Sequence, residues 1–289
     1  MSPDPRTHVF RPDLADLTLR NQVEAENYVE PALRQCLRGV VPMLNAPRDG
    51  ATLISQICYG EFVDVFETRA DGYAWVQNRA DHYVGYIPAD AAIGESIAML
   101  SNRVTALRTY VYAQPSIKTP LIDELTLGSF VTLGASVDQF WELASGGFVF
   151  ADHIALADQA IERDYVFTAG RLLHVPYLWG GRTPQGIDCS GFVQLCLSLA
   201  GIDVPRDSDL QREALGKPLE AHWRDYGWKR GDVVFFPGHV GIMTGGDSLF
   251  HANAHTMDVT VELLADVVGR GNDVLAVATA EDLRQTACA

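Results

Sequence analysis

From about residue 39 to residue 156, apolar and polar positions alternate in short runs broken by glycine and aromatic residues, a pattern that predicts strands joined by tight turns. The tract repeats itself once. Gly60-Glu61-Phe62-Val63-Asp64-Val65, Trp75 and Gly85-Tyr86-Ile87-Pro88-Ala89 have counterparts in Gly128-Ser129-Phe130-Val131-Thr132-Leu133, Trp141 and Gly147-Phe148-Val149-Phe150-Ala151. Units of this length predict two small β-barrels, over 39–98 and 99–156, each burying a tryptophan. Ahead of them, residues 1–38 form an N-terminal arm. Its stretch 11–38 mixes acidic positions with Leu14, Leu17, Leu19, Val23, Ala25 and Tyr28, which predicts a partly helical segment packed on the body.

Beyond residue 157 the period lengthens. Asp158, Ile161, Tyr165, Val166, Ala169, Leu172 and Leu173 have helical spacing over 157–174, and the run from Phe192 to Ala200 is apolar enough for a mostly buried helix capped by Asp188. The Ser/Asp pairs of the Val204–Gln211 stretch cap another short helix. Gly231–Phe236, His239–Met243 and Ser248–Ala252 predict three consecutive strands, turning at Pro237-Gly238 and Gly245-Gly246, and Asp273–Ala278 predicts a last one. Residues 157–289 therefore form an α+β domain with helices on one face of an antiparallel sheet.

Composition narrows the partners. A net charge of −15 over 289 residues argues against nucleic acid and against charge-driven binding to an anionic membrane or wall polymer. No segment reaches the roughly 20 apolar residues of a transmembrane helix. The first ten residues lack an apolar signal-peptide core, and the five cysteines are widely spaced and odd in number, so a cytoplasmic protein with free thiols is expected.

The chemistry gathers at Tyr177-Leu178-Trp179-Gly180-Gly181 and Asp188-Cys189-Ser190-Gly191-Phe192, where a glycine-rich loop delivers Cys189 to the first turn of its helix. Unpaired N–H groups and the positive end of the helix dipole favour the thiolate there. An inert core thiol is the competing reading of Cys189 alone, and Cys196, on the same helix face, is core. Two histidines decide for catalysis. The hairpin sets His239 beside His251, so that one imidazole takes the thiol proton and the other orients it. Zinc is the competing use of these residue types, but no Cys-x-x-Cys pair marks a metal site, and neither metal nor cofactor is expected.

Taken together, Tyr-x-Trp-Gly-Gly, Asp-Cys-Ser-Gly-Phe, Gly-Asp-Val-x-Phe-Phe and His-Val-Gly-Ile resemble the NlpC/P60 cysteine peptidases, a papain-like group that cleaves bacterial cell-wall peptides. The resemblance implies Cys189 as nucleophile, His239 as general base, His251 as orienting residue, and Tyr177 as a tyrosine lying against the catalytic centre. The two barrels resemble bacterial SH3 domains, which often precede such a domain. That arrangement implies cleavage between γ-D-glutamate and the diamino acid of murein stem peptides with a free N-terminal L-alanine. Asp188 and Ser190 then match family positions that hold the ammonium. Arg206, Asp207 and Ser208 are expected at the cleft edge, although surface capping explains Asp207 equally well. Tyr83 and Glu61 of the first barrel are expected in the pocket's outer wall, the barrels shaping the cleft. A cytoplasmic recycling peptidase acting on murein-derived peptides is the preferred function. An exported wall hydrolase, a wall-binding module and a Cys-His acyltransferase are the alternatives, and oligomeric state is left open.

Overall fold

Gly60 and Gly128, matched positions of the sequence repeat, both take a φ of +88°, a left-handed turn that costs glycine little and leads each into an equivalent strand, Phe62–Thr68 and Phe130–Val131. The computed structural model describes residues 3–90, 93–94, 101–159, 162–219 and 221–286. These fall in two compact units, Met1–Ala160 and Ile161–Ala289. Cys288 and Ile161, the latter counted in the helix expected over 157–174, lie outside the described residues, as do 95–98 at the end of the first expected barrel.

In the first unit, seven antiparallel strands run in the order Leu53–Cys58, Val40–Leu44, Val84–Pro88, Tyr73–Asn78, Phe62–Thr68, Ala32–Cys36 and Ile93–Gly94. Period-two patterning points Val41, Met43, Ile57, Val63 and Val76 inward. The second repeat forms a five-stranded and a three-stranded sheet around Val104, Val111, Leu125, Val131 and Val149. Tyr59, from the first repeat, is buried in this second core.

Two expectations are corrected here. The arm is not helical over 11–38: it contains a parallel pair, Leu14–Asp16 with Asn27–Val29, a single 3-10 turn at Leu17–Leu19, and Ala32–Cys36, which is a strand of the first barrel. Pro12 and Pro31 interrupt any long helix. Its apolar residues instead cover the outer face of the sheet, Val9, Leu14 and Val29 packing with Phe66, Trp75 and Val84. Trp75 is buried under this arm, with the Arg11 guanidinium 4.1 Å from its ring, and Trp141 is only half-buried.

The second unit carries four helices that matter to the site: α1 (Tyr165–Arg171), α2 (Cys189–Leu199), α3 (Ser208–Leu215) and α4 (Leu264–Gly269). Its antiparallel sheet runs in the order Asp258–Leu263, Ser248–Asn253, His239–Gly245, Val233–Phe236, Ala276–Ala278. α1 is shorter than the helical period suggested, because Asp164 caps it by accepting from the N–H groups of Val166 and Phe167, and His174 leaves it with φ of +66°. The Phe192, Val193, Cys196 and Leu197 side chains of α2 are wholly buried, each apolar one worth about 1.5–3 kcal/mol, so the helix is anchored in the core along its length. Asp232, just before the Val233–Phe236 strand, is buried. It accepts from the N–H groups of Lys229 and Ala280 at 2.9 Å each, tying this strand to the start of the C-terminal helix Ala280–Thr286. Among the described residues no helix is long and apolar enough to cross a membrane.

Candidate active site

Cys189 occupies the first position of α2 because Asp188, in extended conformation, caps it, its Oδ1 accepting from the Gly191 N–H at 2.7 Å. Gly191 is required by packing: a Cβ there would stand 2.2 Å from the Gly181 carbonyl oxygen, so the glycine-rich loop lies directly on the first turn. The sulfur is buried, with 7% of the residue exposed. Burial pushes its pKa up to about 12, the Asp188 carboxylate adds to the rise, and Arg206 with the N–H groups of Val240 and Ser190 pulls the other way. The expectation that the helix start makes a resting thiolate is therefore corrected. Burial opposes the thiolate that the helix start favours, and with its pKa pushed up to about 12 Cys189 rests as a thiol at neutral pH.

The expected pairing of histidines is present. His239 leads out of the Pro237-Gly238 turn opposite Phe236, and its Nε2 lies 2.8 Å from Nδ1 of His251. His251 is 1% exposed. Burial drives the pKa of His239 down to about 3 and that of His251 down as well, the latter opposed by the neighbouring Glu262 carboxylate. Cys189 and His239 thus rest neutral. Tyr177 is half-buried at an isolated parallel bridge to Ile187, its hydroxyl pKa pushed up by burial and by the adjacent Cys189 and Asp188, so it stays a proton donor.

Behind His251 the chain of contacts continues further than the sequence suggested. Its Nε2 lies 2.9 Å from Glu262 Oε2, and Arg270 grips that carboxylate with Nη1 to Oε1 at 2.9 Å and Nη2 to Oε2 at 2.8 Å. The only sequence signal for Glu262 was register. His251 pairs with Thr260, and Glu262 follows two residues on, hence on the same face of the strand. His255 stands four residues after His251, a spacing zinc sites also use, but both His251 nitrogens are already taken by His239 and Glu262.

Asp188 and Ser190 are placed differently from expectation. Arg206, 1% exposed, donates from Nη1 to Asp188 Oδ1 at 2.9 Å and from Nη2 to Oδ2 at 2.6 Å. Nη1 also reaches Ser190 Oγ at 2.9 Å. Gly180 N–H donates to Oδ2 at 2.9 Å, and Gly191 N–H and the Ser190 hydroxyl both donate to Oδ1. Five donors reach the carboxylate, so Asp188 already has internal partners, and Ser190 and Arg206 complete this cluster. Asp207, half-buried at the N-cap position of α3, makes no side-chain capping bond there, so capping does not account for it. Gln211, also missed, donates to the Ser190 and Pro205 carbonyls at 3.0 and 2.9 Å, holding α3 against the cysteine turn. Glu61 and Tyr83 belong to the other unit. There Glu61 accepts from the Cys58 N–H at 2.8 Å, and Tyr83 packs in the core of the first barrel.

Residues 174–269 match the NlpC/P60 family, and residues 43–91 match the bacterial dipeptidyl-peptidase Sh3 domain. The chain is 30% identical over 236 residues to dipeptidyl-peptidase 6 of Lysinibacillus sphaericus, covering 74% of this chain and 85% of that one. It is 32% identical over 114 residues to the gamma-D-glutamyl-L-lysine dipeptidyl-peptidase of Bacillus subtilis, a match spanning 36% of each chain. In fold it is similar to the crystal structure of an NlpC/P60 family protein from Bacillus cereus, with a TM-score of 0.71 at 17% identity over 86% of this chain and 99% of the other.

Proposed function

We propose, from the premise that this chain belongs to the NlpC/P60 family of cysteine peptidases, that it removes the dipeptide L-Ala-γ-D-Glu from murein-derived peptides with a free N-terminus. The observation that carries this reading is the Cys189, His239, His251 arrangement on a chain that matches a dipeptidyl-peptidase over most of its length. Neutral His239 takes the Cys189 proton as Sγ attacks the γ-glutamyl carbonyl. The Cys189 backbone N–H, which has no intrahelical acceptor at the start of α2, and the protonated Tyr177 hydroxyl stabilise the oxyanion. The imidazolium then gives its proton to the departing amine of the diamino acid, leaving a thioester that water hydrolyses with His239 again as base.

A dipeptidyl cut is measured from the substrate's N-terminus, so an ammonium must be recognised two residues before the scissile bond. Asp207 supports this by position, a carboxylate next in sequence to the Arg206 that locks the cysteine turn. A cytoplasmic site of action is part of the proposal. The four described cysteines are free thiols, which a reducing compartment preserves, and the net charge of −15 disfavours approach to an anionic wall polymer. Mass spectrometry of products from L-Ala-γ-D-Glu-diamino acid tripeptide tests the reading: release of the intact dipeptide is expected, with no release from insoluble murein sacculi. Digestion of sacculi at a comparable rate would overturn it in favour of wall lysis.

A further inference from the structure

The two relay histidines leave one question open in chemistry: which nitrogen of each ring carries the proton. A neutral imidazole has one N–H and one lone pair, and its neighbours choose between the two tautomers. His251 Nε2 has two neighbours with opposite demands, the Glu262 carboxylate at 2.9 Å and the Asn253 Nδ2 amide at 3.2 Å. The amide assignment is fixed, because Asn253 Oδ1 already accepts from the N–H groups of His255 and Thr256, at 2.9 and 2.8 Å, and from the Thr256 hydroxyl. Asn253 would suit a lone pair on Nε2, and Glu262 demands a proton there. The carboxylate is closer, ionised, and held in place by both Arg270 Nη groups, and a charge-assisted bond is about twice as strong as a neutral one.

We propose that Glu262, clamped by Arg270, is a positioning residue that sets the tautomers of both imidazoles in turn and so leaves His239 Nδ1 as the unprotonated nitrogen that takes the thiol proton. With the proton on His251 Nε2, its Nδ1 is an acceptor, and the 2.8 Å contact makes His239 Nε2 the donor. Nδ1 of His239 is then the remaining nitrogen and has no proton, the state a general base needs. An acceptor-only group two rings away thereby controls the base. The transferred proton goes from Cys189 Sγ to His239 Nδ1 and stops there. The positive charge on His239 is stabilised through His251 without any proton reaching Glu262, the role an acid plays behind a single histidine in other triads. The charged and titratable groups around His251 are His239 on the neighbouring strand, Glu262 and Asp258 on the next, and Arg270 after α4. Cys189 belongs to α2, with Asp188 as the cap just before it and Arg206 in the loop that follows.

This inference rests on the peptidase reading for its kinetic consequence but not for its structural one, so two measurements separate them. Long-range imidazole 15N spectra of the full chain, assigned with His251→Gln, are expected to show both relay histidines protonated at Nε2 and bare at Nδ1 near neutral pH. A wild-type His251 protonated at Nδ1 would overturn the proposal whatever the substrate. Glu262→Gln should bring the Nδ1–H tautomer of His251 into view and lower kcat on the tripeptide by about a hundredfold, with KM changed less than about twofold. Because the carboxylate raises the pKa of both histidines, its loss should also move the acid limb of kcat/KM to lower pH. An unchanged tautomer and an unmoved acid limb in Glu262→Gln would reduce the residue to a structural one and sink the idea.

Discussion

Arg206 and Asp188 form a two-pronged ion pair inside the catalytic unit, at 2.9 and 2.6 Å, with side chains 1% and 9% exposed. The pair joins three pieces of local structure that must agree for Cys189 to be placed: the cap of α2, the Gly180 turn and the loop entering α3. The carboxylate beside the nucleophile thus serves the architecture of the cysteine turn.

Arg206→Ala should destabilise the protein by about 3–5 kcal/mol, since it leaves Asp188 charged, buried and short of its main partner. Urea denaturation of the variant checks this. Arg206→Lys should recover only part of the loss, because an ammonium cannot replace both parallel bonds. A loss under about 1 kcal/mol in Arg206→Ala would mean that water or other donors hold Asp188 unaided.

Alkylation of Cys189 by iodoacetamide should be slow at neutral pH and rise roughly tenfold per pH unit toward alkaline pH. A thiol pushed up to about 12 is protonated below that value, and its reactive thiolate fraction grows with each unit of pH. A His239 driven down to about 3 offers no imidazolium to hold a thiolate in the resting enzyme. Peptide mapping of native protein across pH 6–10 is the measurement. A labelling rate flat over that range would reveal a preformed thiolate–imidazolium pair. Cys189→Ser should fold and lack peptidase activity.

Much of this site was legible because its signals are local: the cap, glycine and apolar run around Cys189 define a helix start, and a twelve-residue hairpin brings His251 to His239. Glu262 and Arg270 were not legible, as their approach depends on strand register and on where α4 ends. The hold of Arg206 on Asp188 was hidden for a related reason. No spacing rule says that an arginine eighteen residues later will fold back on it. In the first unit the repeat announced two sets of short strands, whereas the arm misled because its apolar residues serve the outer face of a sheet and have no helical partner.

His239→Ala should reduce kcat by about a thousandfold, within the range for losing a general base, with the fold retained because the ring stands at a strand end. His251→Ala should cost less, about a hundredfold, since it removes orientation and not the proton acceptor. Its fully buried ring leaves a cavity, so stability should fall as well, and His251→Gln is the better-packed control. Steady-state rates of the three variants decide the order. Wild-type turnover in His251→Ala would transfer the orienting role to Asn253, which already touches the same ring.

The last prediction concerns the substrate's N-terminus. If a dipeptidyl cut is measured from an ammonium, acetylating the L-alanine removes the charge and adds bulk, and kcat/KM should fall by at least about a hundredfold. A hydrogen-bonded charge pair contributes about 1.5–3 kcal/mol, and the acetyl group adds a steric penalty to that loss. With Asp188 already partnered inside the unit, Asp207 is the carboxylate of this unit expected to answer the charge. Asp207→Asn should therefore lower kcat/KM on the free tripeptide by about tenfold to a hundredfold while leaving the already slow acetylated peptide nearly unchanged, so the gap between the two substrates narrows. Equal rates on free and acetylated peptides in the wild type would rule out recognition of the ammonium. An undiminished gap in Asp207→Asn would instead move that recognition to another carboxylate.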